Sequence, residues 1–145
     1  MLTEQDLRHM SDDELDELFR QSPAGAIPDG NAEGQVLVGS KKERVSDAVA
    51  RIAELLAWQG KVVDRTKGEL LNKVSPFGVK AIRAKVYKDP SWFDAKETIV
   101  LDYSKTSLVA RRVRDEIREV SPGLYLGLVF LGRRKILHFS LKFDQ

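Results

Sequence analysis

The stretch "GLYLGLVFLGRRKILHFSLKF", residues 123–143, limits the fold more than any other part of the chain. Two runs that alternate with period two flank the tight turn "GRR", the pattern of an antiparallel hairpin. On the first strand Leu124, Leu126, Leu128 and Phe130 share one face, and Tyr125, Gly127, Val129 and Leu131 share the other. Both faces are apolar, so this strand needs cover on both sides. On the second strand Leu137, Phe139, Leu141 and Phe143 form an apolar face, and Ile136, His138, Ser140 and Lys142 a mixed one. A pocket would be found on the mixed side, with Tyr125, Gly127, His138 and Ser140 as its candidates. Gly127 inside a strand leaves room for a ligand or a close backbone, or marks a bulge or bend. His138 there either lines a pocket or faces water.

Upstream, "KVVD", "ELLNKV", "VKAIRAKVYK" and "ETIVLDYS" read as further strands, separated by "RTKG", "SPFG" and "KDPSW". Strands at about 8–12 residue spacing with turns between them predict an antiparallel sheet that curls into a barrel or half-barrel. In "VKAIRAKVYK" Arg83 and Lys85 inside would make a cationic cavity for a carboxylate or phosphate; alternation favours Ile82, Ala84 and Val86 inside, with Arg83 and Lys85 solvated. "DPSW" reads as a type I turn with Trp92 folded over the sheet edge.

Helical patterns precede and interrupt these strands. "SDDELDELFRQS" opens with Ser11 and Glu14 as a capping box and carries a Leu15, Leu18, Phe19 stripe that needs a partner. "SPAGAIPDGNAEG" reads as a turn-rich loop or linker, and "QVLVG" after it as a short strand or a run into the next helix. "SKKERVSDAVARIAELLAWQG" has a second capping box, Ser40 with Glu43, and Gly60 as its C-terminal cap. A third helix is expected over residues 108–120, with Val109, Val113, Ile117 and Val120 packing on the sheet and the charges Arg111, Arg114, Asp115 and Arg118 in water. The expected fold is therefore α+β, mainly β: a curled or barrel-like antiparallel sheet with N-terminal helices and one helix inserted before the C-terminal hairpin. The 145 residues make one domain: a helical arm over 1–24, a Gly/Pro-rich segment over 25–39, and a helix plus β-rich core over 40–145.

Glu116 departs from the solvated pattern, because helical winding sets it inside the apolar arc. A carboxylate there is paired, protonated or open to a cavity. It is either a structural anchor, paired with Arg112 or a base from the sheet, or an acid–base group with a raised pKa. Asp102 and Tyr103, at the end of the preceding strand, point to opposite faces, so one of them faces inward.

Lys and Arg number 24 against 22 Asp and Glu, a net charge of +2, which argues against a dedicated nucleic-acid binder. Hydrophobic residues at 42% and charged residues at 32% are ordinary for a globular domain. The absence of cysteine excludes disulfides, thiolate metal sites and a cysteine nucleophile. No metal, nucleotide or triad signature is present, and no cofactor is expected. No apolar run reaches the ~18 residues of a membrane span, and the N-terminus has no basic region followed by an apolar core, so a cytoplasmic protein is expected.

Four further features go together: Gly25, Gly30 and Gly34 before a helix; that helix ending in "LLAWQGK"; Asp102 and Tyr103 leading into "VRDEIREV"; and Gly127 in the closing hairpin. In these, from about Gly25 to Phe143, the chain resembles small bacterial proteins known by a GXWXG motif and the domain of unknown function that follows it. It has "GAIPDG" where that family carries its central tryptophan. The resemblance implies a small β-rich domain with no settled activity, and it directs attention to Trp58, Gly60, Lys61, Asp102 and Tyr103.

The function expected is a small binding domain that holds an apolar or amphipathic molecule in a pocket of the sheet, with Trp58, Lys61, Tyr103, Arg112, Tyr125 and Gly127 as ligand-binding candidates. The alternative is a cofactor-free acid–base enzyme using Glu116, Asp102 and His138, which requires at least two of them to converge on one pocket. A homodimer docked through the Leu15, Leu18, Phe19 stripe is a further expectation.

Overall fold

A computed structural model describes residues 1–37, 61–72, 82–104 and 112–144. Two short helices, α1 (Glu4–Arg8) and α2 (Asp12–Gln21), precede eight strands: β1 (Gly30–Leu37), β2 (Lys61–Asp64), β3 (Glu69–Asn72), β4 (Ile82–Pro90), β5 (Glu97–Asp102), β6 (Val113–Ser121), β7 (Leu124–Leu131) and β8 (Arg134–Phe143). Each strand pairs antiparallel with the next, and β8 pairs with β1, so the sheet is a closed up-and-down barrel. Closure leaves no strand of the described residues with a wholly free edge. The mainly-β, barrel-like architecture with N-terminal helices is the one the alternating segments predict. The helix expected at residues 40–60 lies outside the described residues.

Side chains alternate between the lumen and the outer wall. Val63, Leu70, Ala84, Val86, Ile99, Leu101, Val113, Ile117, Val129, Phe139 and Leu141 point inward and form one core. Arg83 and Lys85 are outside, as alternation requires. A second core lies on the outer wall, where Leu7, Leu15 and Phe19 of the helices cover Leu124, Leu126, Leu128 and Phe130 of β7. The doubly apolar strand β7 thus separates two cores. Ser11 caps α2 and forms the capping box with Glu14. The α2 stripe is therefore buried against its own barrel, not available to a partner chain: Leu15 and Phe19 are fully buried.

Three expectations are corrected. The inserted helix is absent over its described part: Val113–Ser121 is the strand β6, with Val113, Asp115 and Ile117 inward and Arg114, Glu116 and Arg118 outward. The period of two prevails because the barrel wall buries both sides of this segment and supplies partners for its charges. Cover for β7 accordingly comes from α1 and α2. Next, the turn-rich stretch ends at Gly30, where β1 begins: Gly30 pairs with Val63 of β2 at a φ of +96°, and Gly34 pairs with Leu141 of β8. Last, Asp89 and Pro90 finish β4, and the turn occupies residues 91–96. Trp92 lies against Phe130 on the outer wall, its ring centroid 5.6 Å away, since the closed barrel offers no edge to fold over.

The ends of the barrel differ. Residues 24–29 run across the end where β1 begins. Glu119 N–H donates to Ala24 O (3.2 Å), the Tyr125 hydroxyl donates to Ala26 O (2.7 Å), and Arg65 Nε–H donates to Ile27 O (2.6 Å). These anchors sit on β6, β7 and the β2–β3 turn, so the segment bridges the opening, and Ala24 joins the inner core. Gly25 makes this path possible: its φ is +77° and a Cβ there would lie 2.6 Å from Glu119 Cβ. At the opposite end are the first residues of β2 and β6 and the last of β5.

Candidate functional site

The lumen near that opposite end holds three buried polar side chains from different walls. Lys61 opens β2, Tyr103 follows β5, and Asp115 is the third residue of β6. Lys61 and Asp115 are fully buried and Tyr103 is 3% exposed. Each is where it is because strand alternation points it inward: Lys61 shares a face with Val63, Asp115 with Val113 and Ile117, and Tyr103 with Leu101 and Ile99.

Their electrostatics are coupled. Burial pushes the Asp115 carboxyl up to about 7, opposed by the Lys61 charge and by the Tyr103 hydroxyl. Burial pushes Lys61 down to about 8, opposed by the Asp115 charge. Tyr103 is raised well above its ordinary value, by burial first and then by Asp115. Neither carboxylate oxygen of Asp115 has a hydrogen bond of full geometry among the described residues; Tyr103 acts on it as a polar neighbour. An acid and a base that titrate close together near neutrality, inside an apolar lumen, can offer a hydrogen-bond donor and acceptor to a polar group or exchange a proton with one.

The candidates read from sequence separate into groups. Lys61, Tyr103, Tyr125 and Gly127 all face the lumen. Tyr125 is engaged with the segment that closes the far end. At Gly127 the room that glycine leaves is filled by the Phe139 ring, so it holds a core side chain, and the bulge reading fails as well. Arg112 stands exposed at the rim. Trp58 and Gly60 lie outside the described residues.

Glu116, Asp102 and His138 do not share a pocket. Glu116 is buried on the outer wall under the 91–96 turn, where it accepts hydrogen bonds from the Ser91 hydroxyl, Trp92 N–H (2.8 Å) and Arg114 Nε–H (3.2 Å). It is a structural anchor, and of the two expected partners, Arg112 or a base from the sheet, it has the sheet's: Arg114 of β6. Asp102 accepts the Tyr87 hydroxyl and Ser104 N–H, each at 2.9 Å, and these bonds hold its pKa low against its partial burial. His138 is also on the outer wall, beneath α2, with Nε2 2.7 Å from Asp16 Oδ1. It does not face water. Glu116 and His138 sit opposite each other across Leu128 of the intervening strand, which puts their backbones about 10 Å apart with an apolar side chain between.

Asp115 is the residue that helical winding assigned to the solvent. Its signal is "VRDEI", where period two sets the acid between two inward β-branched residues. Among the described residues no three His, Asp or Glu side chains group as a metal site.

No protein-family model and no curated protein matches the chain. A crystal structure of a protein from Thermomonospora curvata is similar in fold, with a TM-score of 0.61 and 16% identity over 94% of this chain and 89% of that one. At that identity the likeness concerns the barrel alone. None of this bears on the resemblance to GXWXG-motif proteins.

Proposed function

We propose that the barrel holds one small amphipathic molecule, with its polar group at Lys61, Asp115 and Tyr103 and its apolar part along Val63, Leu70, Val86, Ile99 and Leu101. The observation that carries this reading is the burial of an acid–base pair on the lumen wall, at the end away from the closing segment 24–29. A closed eight-stranded barrel has an interior that can take one small ligand. A buried ion pair is usually worth less to stability than an apolar pair of similar volume, so its retention favours a role toward a ligand.

The test is thermal unfolding with a panel of medium-chain alcohols, amides and carboxylic acids. A saturable rise in melting temperature, lost in Asp115→Leu with Lys61→Met while that variant melts no lower without ligand, supports the reading. A panel that leaves the wild type unmoved, together with a filled lumen in an experimental structure, overturns it.

A second reading is acid–base catalysis on the bound molecule without a cofactor. Here Asp115 and Lys61 take the roles first assigned to Glu116, Asp102 and His138, because only the lumen residues face one space. A turnover rate whose pH profile shifts with Asp115→Glu would favour it over binding alone.

A further inference from the structure

A groove of about 490 Å3 opens on the outer rim of the barrel, beside the lumen end that holds Asp115. Arg112, Arg114, Arg133 and Trp92 line it, with Tyr87 and Asp102 on the other side. The indole of Trp92 stacks with two guanidinium groups, Arg114 at 4.3 Å and Arg133 at 4.2 Å from the ring centre. The contact with the indole orients the exposed Arg133 guanidinium, while Arg114 turns its N–H groups to the protein. Gly132 N–H donates to Arg112 O (2.9 Å), which ties Arg112 to the same turn that carries Arg133.

Of the three arginines, only Arg114 has an ion-pair partner among the described residues. Arg114 is committed to Glu116, Asp89 and Pro90 O. Both carboxylate oxygens of Asp102 are occupied by Tyr87 and Ser104. Arg112 and Arg133 are exposed and form no ion pair with a carboxylate among the described residues. Two guanidinium groups brought to one turn without an acid between them match the oxygens of a phosphate, which each can hold with paired N–H donors.

We propose that this rim groove binds a phosphate group through Arg112 and Arg133, with Trp92 as the plate that holds Arg133 in place. The site stands independently of the lumen reading. A free phosphate and the phosphate end of an amphiphile present the same oxygens, and the experiment separates them. Inorganic phosphate is titrated into the full chain at constant ionic strength, with sodium chloride as the control, by calorimetry and by the Trp92 indole N–H resonance. The expected result is a saturable heat, with movement of that resonance, weakened about tenfold in Arg112→Gln or Arg133→Gln. Both residues are exposed, so the variants keep the wild-type melting temperature. A response no larger than that of chloride, or one unchanged in the double variant, overturns the proposal. Octyl phosphate and octanol are run in parallel. Phosphate binding to which the octyl chain adds no affinity supports the rim site with free phosphate as its ligand. Octanol binding without phosphate binding overturns the rim site and leaves the lumen reading in place.

Discussion

The outer end of the Phe139 ring on β8 fills the space beside Gly127 on β7: a Cβ built at residue 127 would sit 2.2 Å from Phe139 Cζ. The two residues are register partners, and the contact lies inside the barrel. Gly127→Ala is therefore expected to destabilise the fold by about 1–3 kcal/mol, the usual cost of forcing an extra methyl into a close-packed core. Phe139→Leu in the same chain should restore part of the loss. Urea unfolding of the two single variants and the double variant measures this; additive losses would show that the ring and the glycine are not coupled.

Glu116 and Arg112 should behave oppositely. Glu116→Ala strips the Ser91 hydroxyl, Trp92 N–H and Arg114 of their shared acceptor in a fully buried site. A loss of about 3–5 kcal/mol is expected, because one partner of a buried pair is left behind. Arg112→Ala, at an exposed position with no acidic partner among the described residues, should change stability by no more than about 0.5 kcal/mol. Chemical denaturation of the two variants decides between Arg114 and Arg112 as the partner of Glu116.

The different fates of these residues show what the sequence made legible. The β-rich architecture followed from alternation in "GLYLGLVFLGRRKILHFSLKF" and in the four upstream strands, each of which buries one apolar face. The N-terminal capping box around Ser11 was equally plain. Segment 113–121 was misread because helix and strand periods both fit its apolar residues, and its charges suggested solvent. In the barrel those charges are buried and paired: Arg114 with Glu116, Arg118 with Asp94, and Asp115 beside Lys61. Partners contributed by residues 61 and 91–96 are distant in sequence, so no local pattern reveals them. Alternation points to Tyr125 and to one of Asp102 and Tyr103 as lumen residues, whereas Lys61 enters only through the resemblance, and the expected helix hides Asp115.

The Asp115–Lys61 pair should cut a trough into stability near neutral pH. Asp115 titrates at about 7 in the folded chain against 3.8 for an ordinary aspartate, so the folded state holds its proton longer. Stability therefore falls as pH rises from about 4 to 7. Lys61 titrates at about 8 against 10.5, so the unfolded state holds the extra proton between those values and stability rises across them. The difference in unfolding free energy between the wild type and Lys61→Met with Asp115→Leu should be largest at pH 7–8 and shrink on either side. A difference independent of pH from 4 to 10 would show that the pair is not buried as described.

Arg118 fastens three elements together, and its loss should loosen one of them first. Its guanidinium donates to both oxygens of Asp94 at 2.7 Å, to Phe19 O at 2.7 Å and to Lys96 O at 3.2 Å, and it lies 4.2 Å from the centre of the Phe19 ring. One buried side chain of β6 thereby holds the C-terminal turn of α2 and the 91–96 turn against the barrel. Asp94→Ala leaves that charge in a fully buried site with only carbonyl acceptors, so a loss of about 3–5 kcal/mol is expected. The barrel ladder does not depend on this contact, so amide exchange should accelerate in α2 and residues 91–96 well before it does in β7 and β8. Arg118→Met should cost less than Asp94→Ala, since it removes the buried charge and fills the same space beside Phe19. Equal acceleration across helix and strands would mean that α2 and the barrel unfold as one unit, with Arg118 no more than part of a shared core.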